Sequence, residues 1–369
     1  MNTIKFLTFI YLSTLVSFVA ALPLEKTNQY NLVVNHPGEK KAIEIVITQI
    51  LNEEDFPVSY YMDVPSVICY EQVCKIIPVK LFWNNLGEYQ IYELEPQSTL
   101  EKYKADSFEP KDYIKLDRIL SNKHSPFKDV LYHQILTSPD DNDVDAVSGA
   151  TALILDDEDT VPGAALGCYT LWHWANGEIV DKIKNLTGKS FSEKQLKDLL
   201  SEDKKHFFPV VIQELSKRNN YLNSFVELVI QKTLEEKILI QQSIEYLEKS
   251  PQNVYYASME KIFIKGNENQ KIHVLRSLMK SNYTLERPYL SRLSNHASSL
   301  KSLQEVSLFL EVVQLKNPVS EVVIKNIFPL LKSDLVIARS VYWFLKNQKT
   351  TVDQEEELKI FHEQNKDKL

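Results

Sequence analysis

The chain has 369 residues, of which 25% are charged and 44% hydrophobic, so it can build a core and is not globally disordered. Lys and Arg total 42 against 50 Asp and Glu, a formal net charge of −8. Basic residues are dispersed with no basic–aromatic stripe, which excludes general nucleic-acid binding, and the length accommodates two domains.

Residues 1–21 read as a signal peptide. Lys5 is the only charge, an apolar run spans Phe6 to Val16, and Val19-Ala20-Ala21 offers a small-residue cleavage site before Leu22-Pro23. The run is short for a membrane-spanning helix, which needs ~20 residues. The expected mature chain is exported, periplasmic or secreted, with no transmembrane span after signal cleavage.

Lys41 to Asn52 holds Ile43, Ile45, Val46, Ile47, Ile50 and Leu51, a pattern open to helix or buried strand. Its length and the polar end Asn52-Glu53-Glu54-Asp55 favour a helix. Lys75 to Trp83 and Glu88 to Leu94 alternate around Asn84-Asn85-Leu86-Gly87, which predicts a hairpin. Cys69 and Cys74 flank its entry. In an oxidising compartment a disulfide between them is expected, a metal site being the weaker alternative. Pro110 starts a helix with Tyr113, Leu116, Ile119 and Leu120 on its apolar face. Lys128 to Leu136 is open to helix or strand. His124 and His133 suggest no role.

An acidic run, Asp140, Asp141, Asp143 and Asp145, precedes Ala146-Val147-Ser148-Gly149-Ala150-Thr151. An EF-hand is excluded: Ala146 occupies the place of its glycine and Ala152 that of its final glutamate. A looser divalent site shared with Asp156, Asp157, Glu158 or Asp159 is one alternative, and a solvated acidic loop is the other. Within the motif, Gly149 permits a tight bend, and Ser148 and Thr151 present hydroxyls beside backbone N–H groups, which suits an anionic group. An ordinary turn with Ser148 or Thr151 capping a helix would use the same residues.

Asp145 to Thr151 resembles the Asp-x-x-Ser/Thr-Gly-Ala-Thr/Ser motif of the FMN-binding domain family. That family includes FMN-carrying subunits of sodium-pumping NADH:quinone reductase and related electron-transfer proteins. The resemblance implies that Thr151 is esterified to the FMN phosphate by a flavin transferase, with Asp145, Ser148, Gly149 and Ala150 completing the site. It also implies a redox partner protein. This chain departs from the family pattern after the motif, with Ala152-Leu153 and then Asp156-Asp157-Glu158-Asp159.

Ala164 to Trp174 is apolar and rich in small residues, and reads as a helix close to the site. Trp172 and Trp174 cannot share one side of it. Either ring could stack on a flavin, and filling the core is their other use. Cys168, in the same apolar setting, reads as a buried thiol. Ser148 lacks the glycines of a nucleophile elbow, so hydrolysis with His173 as base is the lesser enzyme reading.

Seven of the eight glycines precede residue 190 and only Gly266 follows, which sets a boundary near Gly188. From Ser190 the chain reads as successive amphipathic helices, beginning with Phe191 to Leu200 and ending with Leu335 to Leu345. The stripe Leu303, Val306, Leu310, Val313 is typical of them. Helices in series suggest a helical repeat or a bundle. The charged tail after Thr351 is expected to fray. Asn185 and Asn282 fit glycosylation acceptors in a eukaryotic host. The expected layout is thus α+β over 22–188, followed by an all-α helical-repeat or bundle domain over 189–369. The alternative to electron transfer is a non-catalytic exported interaction or scaffold protein.

Overall fold

The computed structural model describes residues 26–68, 75–102, 105–136, 155, 158–315 and 319–369. The chain forms two compact units, one ending at Ile179 and the other beginning at Val180. The first is α+β and the second all-α.

The first unit opens with β1 (Lys26–Val34), β2 (Ile43–Leu51), β3 (Pro57–Pro65), β4 (Pro78–Asn84) and β5 (Tyr89–Leu94). They form an antiparallel meander in chain order. Side chains alternate between sheet faces, so every second residue of β3 and β4 reaches the core. Tyr60 lies opposite Trp83, Met62 opposite Leu81 and Val64 opposite Val79. None of these is more than 3% exposed. Each such burial stabilises by roughly 1.5–3 kcal/mol before entropy is counted.

The hairpin predicted around Asn84 is present. Asn84 Oδ1 accepts from the N–H groups of Leu86 at 2.9 Å and Glu88 at 3.0 Å, and Gly87 takes φ 74°. The helix expected over Lys41–Asn52 is instead strand β2. Isoleucine, valine and threonine dominate it, and their branched Cβ atoms suit a pleated strand between β1 and β3. Its polar end is the turn of a second hairpin. Asn52 Oδ1 accepts from Glu54 N at 3.0 Å and Phe56 N at 2.8 Å, with Asp55 at φ 59°.

Three helices follow: α1 (Pro110–Ser121), α2 (Tyr132–Leu136) and α3 (Ala165–Asn176). Pro110 occupies the first turn of α1, where its missing N–H costs nothing. The Glu109 N–H donates to the Asp112 carboxylate at 2.8 Å. Leu116, Ile119 and Leu120 are buried as the spacing predicted. Helix α3 packs on β3 and on α1. It is buried on more than one side, so Trp172 and Trp174, though they diverge, are both only 3% exposed. Trp172 Nε1 donates to the Asn122 carbonyl beyond α1, and Trp174 packs on His36 with centroids 4.8 Å apart.

The second unit runs through α4 (Ile179–Ser190), α5 (Glu193–Ser201), α6 (Phe208–Lys217), α7 (Asn223–Glu235), α8 (Ile240–Leu247) and α9 (Gln252–Lys265). It continues with α10 (Glu268–Lys280), α11 (Arg287–Ser294), α12 (Leu303–Gln314), α13 (Glu321–Ile327), α14 (Leu335–Lys346) and α15 (Val352–Asn365). Gly188, where the composition changes, lies inside α4. Capping boxes at Ser192/Gln195, Asn267/Gln270, Ser302/Glu305 and Thr351/Gln354 start four of the helices. From α5 to α14 each helix packs against the second one along. The odd-numbered helices make one row and the even-numbered ones another.

The tail expected to fray after Thr351 is helix α15. The Thr351 cap starts it, and Tyr342 of α14 stacks on Phe361 and His362 with centroids 5.4 and 5.9 Å away. Helix α11 was not legible beforehand, because Arg287-Pro288 and the serines around Leu290 and Leu293 dilute its stripe. Among the described residues no helix is long and apolar enough to cross a membrane.

Candidate functional site

Asp145, Ser148, Gly149, Ala150 and Thr151 lie outside the described residues, as do Cys69, Cys74, Asp140, Asp141, Asp143, Asp156 and Asp157. What the structure describes is the ground on the C-terminal side of the motif. Gly163 turns the chain at φ 77°, and α3 begins two residues later. Its N-cap, Ala164, makes no side-chain cap, so the first N–H groups of α3 have no capping side chain and carry the positive end of the helix dipole.

This helix start borders a cavity of about 470 Å³ in the first unit. Ser66 and Val67 after β3, Leu100, Glu101, Lys102, Ala105 and Phe108, Leu116 of α1 and Cys168 and Leu171 of α3 meet around it. Leu100, Phe108, Leu116 and Leu171 supply apolar walls. Lys75 and Lys102 bring cations, each already held: Lys75 by Glu101 at 2.7 Å and Lys102 by Asp112 at 2.5 Å. Burial pushes the Asp112 carboxyl up. The hydrogen bonds from Lys102 and the Glu109 N–H outweigh it and hold the group below the usual carboxylate range.

The cavity lies within the ~300–1,000 Å³ typical of small-molecule sites. Its lining combines apolar walls with Lys75, Lys102, the Glu101 carboxylate and the start of α3, so a flat apolar ring system fits the walls, and an anionic arm would have to share the lysines with Glu101 and Asp112. FMN has that character. Leu100, Phe108, Leu116 and Leu171 are the residues that would flank its ring, and Lys75, Lys102 and the first turn of α3 its phosphate. Trp172 and Trp174 are not among the lining residues; they are core.

Cys168 is a free thiol, 1% exposed, as its neighbourhood suggested. Burial pushes its pKa up to about 11, so it stays protonated and is no nucleophile at neutral pH. Ser66, Lys75 and Lys102 carried no signal in the sequence. They stand in connections far apart along the chain, and no spacing rule links them.

A second polar group sits behind α3. His36, 3% exposed, accepts at Nδ1 from the Gly38 N–H and donates from Nε2 to the Thr170 carbonyl, both at 3.0 Å. Those partners fix a neutral ring. A Cβ on Gly38 would stand 3.2 Å from Nδ1, so a larger residue there would push the ring back by a few tenths of an ångström. His173 lies 5.8 Å away, ring to ring. Burial lowers both pKa values to about 4, and for His173 the nearby His36 adds to it. The rings are a neutral structural pair, and His173 is poorly placed to act as a base in water.

Among the described residues no three His, Cys, Asp or Glu side chains gather for a metal ion. Glu158, from the acidic insertion, pairs with Arg118 at 2.7 Å. Comparison of the chain with models of known protein families, with curated proteins and with solved structures finds no match.

Proposed function

We propose that the chain is an exported flavoprotein that passes electrons through FMN, held in the first unit and linked by its phosphate to Thr151. One observation carries the reading. The motif Asp145 to Thr151 is followed, twelve residues on, by a glycine turn and a helix whose open N-terminus borders a cofactor-sized cavity. FMN supplies reversible electron uptake, and the chain supplies walls, orientation and exclusion of water. The donor and acceptor would be redox partner proteins, and a flavin transferase would make the bond. The export pattern of residues 1–21 supports a periplasmic or secreted location.

The test is the visible absorption and intact mass of the full chain co-expressed with a flavin transferase. A flavin band that survives denaturation supports the reading, and Thr151→Ala should abolish it. An unmodified mass and no band in the presence of an active transferase would refute covalent attachment.

The second reading is a non-catalytic exported scaffold. The alternating rows of helices α5–α14 favour it, since arrays in which each element packs on the next but one are the build of helical-repeat binding proteins. A colourless protein that still captures a ligand through this unit would select it.

A further inference from the structure

The sheet of the first unit has two edge strands, β1 and β5, and they are built differently. Bare N–H and C=O groups on an edge invite another strand, so natural edges are guarded by charge, proline, bulges or a covering element. Edge strand β5 is guarded. Its register on β4 shifts at Phe82 and Trp83, it carries Glu93, and α1 packs on it. The Tyr89 hydroxyl donates to Asp117 at 2.7 Å and the Tyr92 hydroxyl to the Tyr113 carbonyl at 3.1 Å, which ties the strand to that helix.

Edge strand β1 has none of these devices. Its nine residues pair with β2 in unbroken register, with no proline and one charge, Lys26, at the first position. Six of the nine are exposed, so the edge is open along most of its length. Asn28 and Tyr30 donate to Oε1 of the fully buried Gln49 at 3.2 and 3.1 Å, so the strand is pinned to the core before any partner arrives.

The two ends of β1 carry opposite charge. Lys26 begins it. Just past the other end, the backbone and side-chain N–H groups of Asn35 hold the Glu178 carboxylate, each at 2.8 Å. A second β1 laid antiparallel brings each Lys26 to the end where the other copy holds Glu178. A parallel strand would set like charges together. Overlap of the whole strand puts the two-fold axis at Tyr30. Gln29 then stands opposite Asn31, Thr27 opposite Val33 and Asn28 opposite Leu32, each pair on one face of the sheet. A slip of one residue would set inward side chains against outward ones.

We propose that β1 pairs with β1 of a second copy, antiparallel about Tyr30, and joins the two sheets into one. The guarded β5 edge stops further growth, so the assembly closes at two. This surface does not depend on the flavin reading.

The experiment is sedimentation equilibrium of the full mature chain at micromolar concentration, which should show a dimer. Gln29→Lys with Asn31→Lys sets ammonium groups opposite each other at two points and should weaken the dimer about tenfold or more. An equimolar mixture with Gln29→Glu/Asn31→Glu should form dimers again, which misfolded chains could not do. Glu178→Gln should weaken the dimer severalfold at low salt and less at high salt. Gln90→Lys, on the β5 edge, should leave it unchanged. A monomeric wild type, a dimer that the double lysine variant leaves intact, or opposite-charge variants that stay apart would overturn the proposal.

Discussion

Trp83 of β4 donates its indole N–H to the carbonyl of Ala175, in the last turn of α3, at 2.8 Å. Both residues are fully buried, so the bond ties the centre of the sheet to the helix whose other end opens on the cavity. An indole buried this way needs its acceptor, and the helix-end carbonyl needs a donor. Trp83→Phe keeps an aromatic ring but leaves that carbonyl without its donor, at a cost of about 1–3 kcal/mol. Trp83→Ala adds a large void and should cost about 3–5 kcal/mol. Urea unfolding followed by near-ultraviolet circular dichroism measures both. Equal stability of the two variants would mean that the sheet and α3 do not fold as one body.

The histidine pair makes the first unit acid-sensitive. Unfolded, His36 takes a proton near its ordinary 6.5; folded, it resists until about 4. The folded state therefore binds fewer protons within that window. Its contribution is fully present above about pH 6.5 and is lost as pH falls through the folded value, by about 3 kcal/mol from His36. His173 acts in the same direction. Three of the four tryptophans, Trp83, Trp172 and Trp174, are in this unit, so tryptophan emission reports its unfolding. Between pH 7 and 4.5 the wild-type midpoint should fall more steeply than that of His36→Gln. Parallel slopes would remove the histidine from the account.

The two asparagine turns should behave alike. Asn52 and Asn84 each accept two backbone N–H groups at the tip of a hairpin. Replacing either by alanine leaves those donors to water and relaxes the turn, at a cost of about 1 kcal/mol each. Because the sites are separate turns, the double variant should show the sum within ~0.5 kcal/mol. A strongly non-additive result would mean that the hairpins are coupled through the sheet.

That pair also explains why the sheet was only half legible. Around Asn84 the strands alternate, and Gly87 supplies the residue with positive φ, so the hairpin could be read from the sequence. Around Asn52 the same turn uses Asp55 at φ 59°, and β2 buries Ile47, Thr48 and Gln49 in succession, so neither the glycine nor the alternation appears. Most helices of the second unit were legible because each buries one stripe, and α5, α10 and α12 also carry Ser or Asn three residues before Glu or Gln; α4 and α11 were not legible. Helix α15 was missed because its sequence is nearly all polar; its hold on the unit comes through Tyr342, from another helix. The cavity was illegible for a different reason. Its walls come from a strand end, a loop and two helices, and only the start of α3 was marked by composition.

Cys168 offers a chemical probe of that cavity. Its Sγ accepts from the Val161 N–H at 3.5 Å, and burial pushes its pKa up to about 11. At pH 8 the reactive thiolate is then only about one part in a thousand, and the reagent must also reach a side chain 1% exposed. Alkylation by iodoacetamide, read at the Cys168 peptide by mass spectrometry, should be far slower in the native protein than in urea. Phe108→Ala widens the wall of the cavity and should speed native labelling severalfold, whereas Phe309→Leu, in α12 of the other unit, should not. Fast labelling of the wild type would show that this thiol is open to solvent and that the cavity does not exclude water as a redox site requires. A native rate that falls on adding FMN would place a ligand against α3, and a rate indifferent to FMN at saturating concentration would move the flavin elsewhere in the chain.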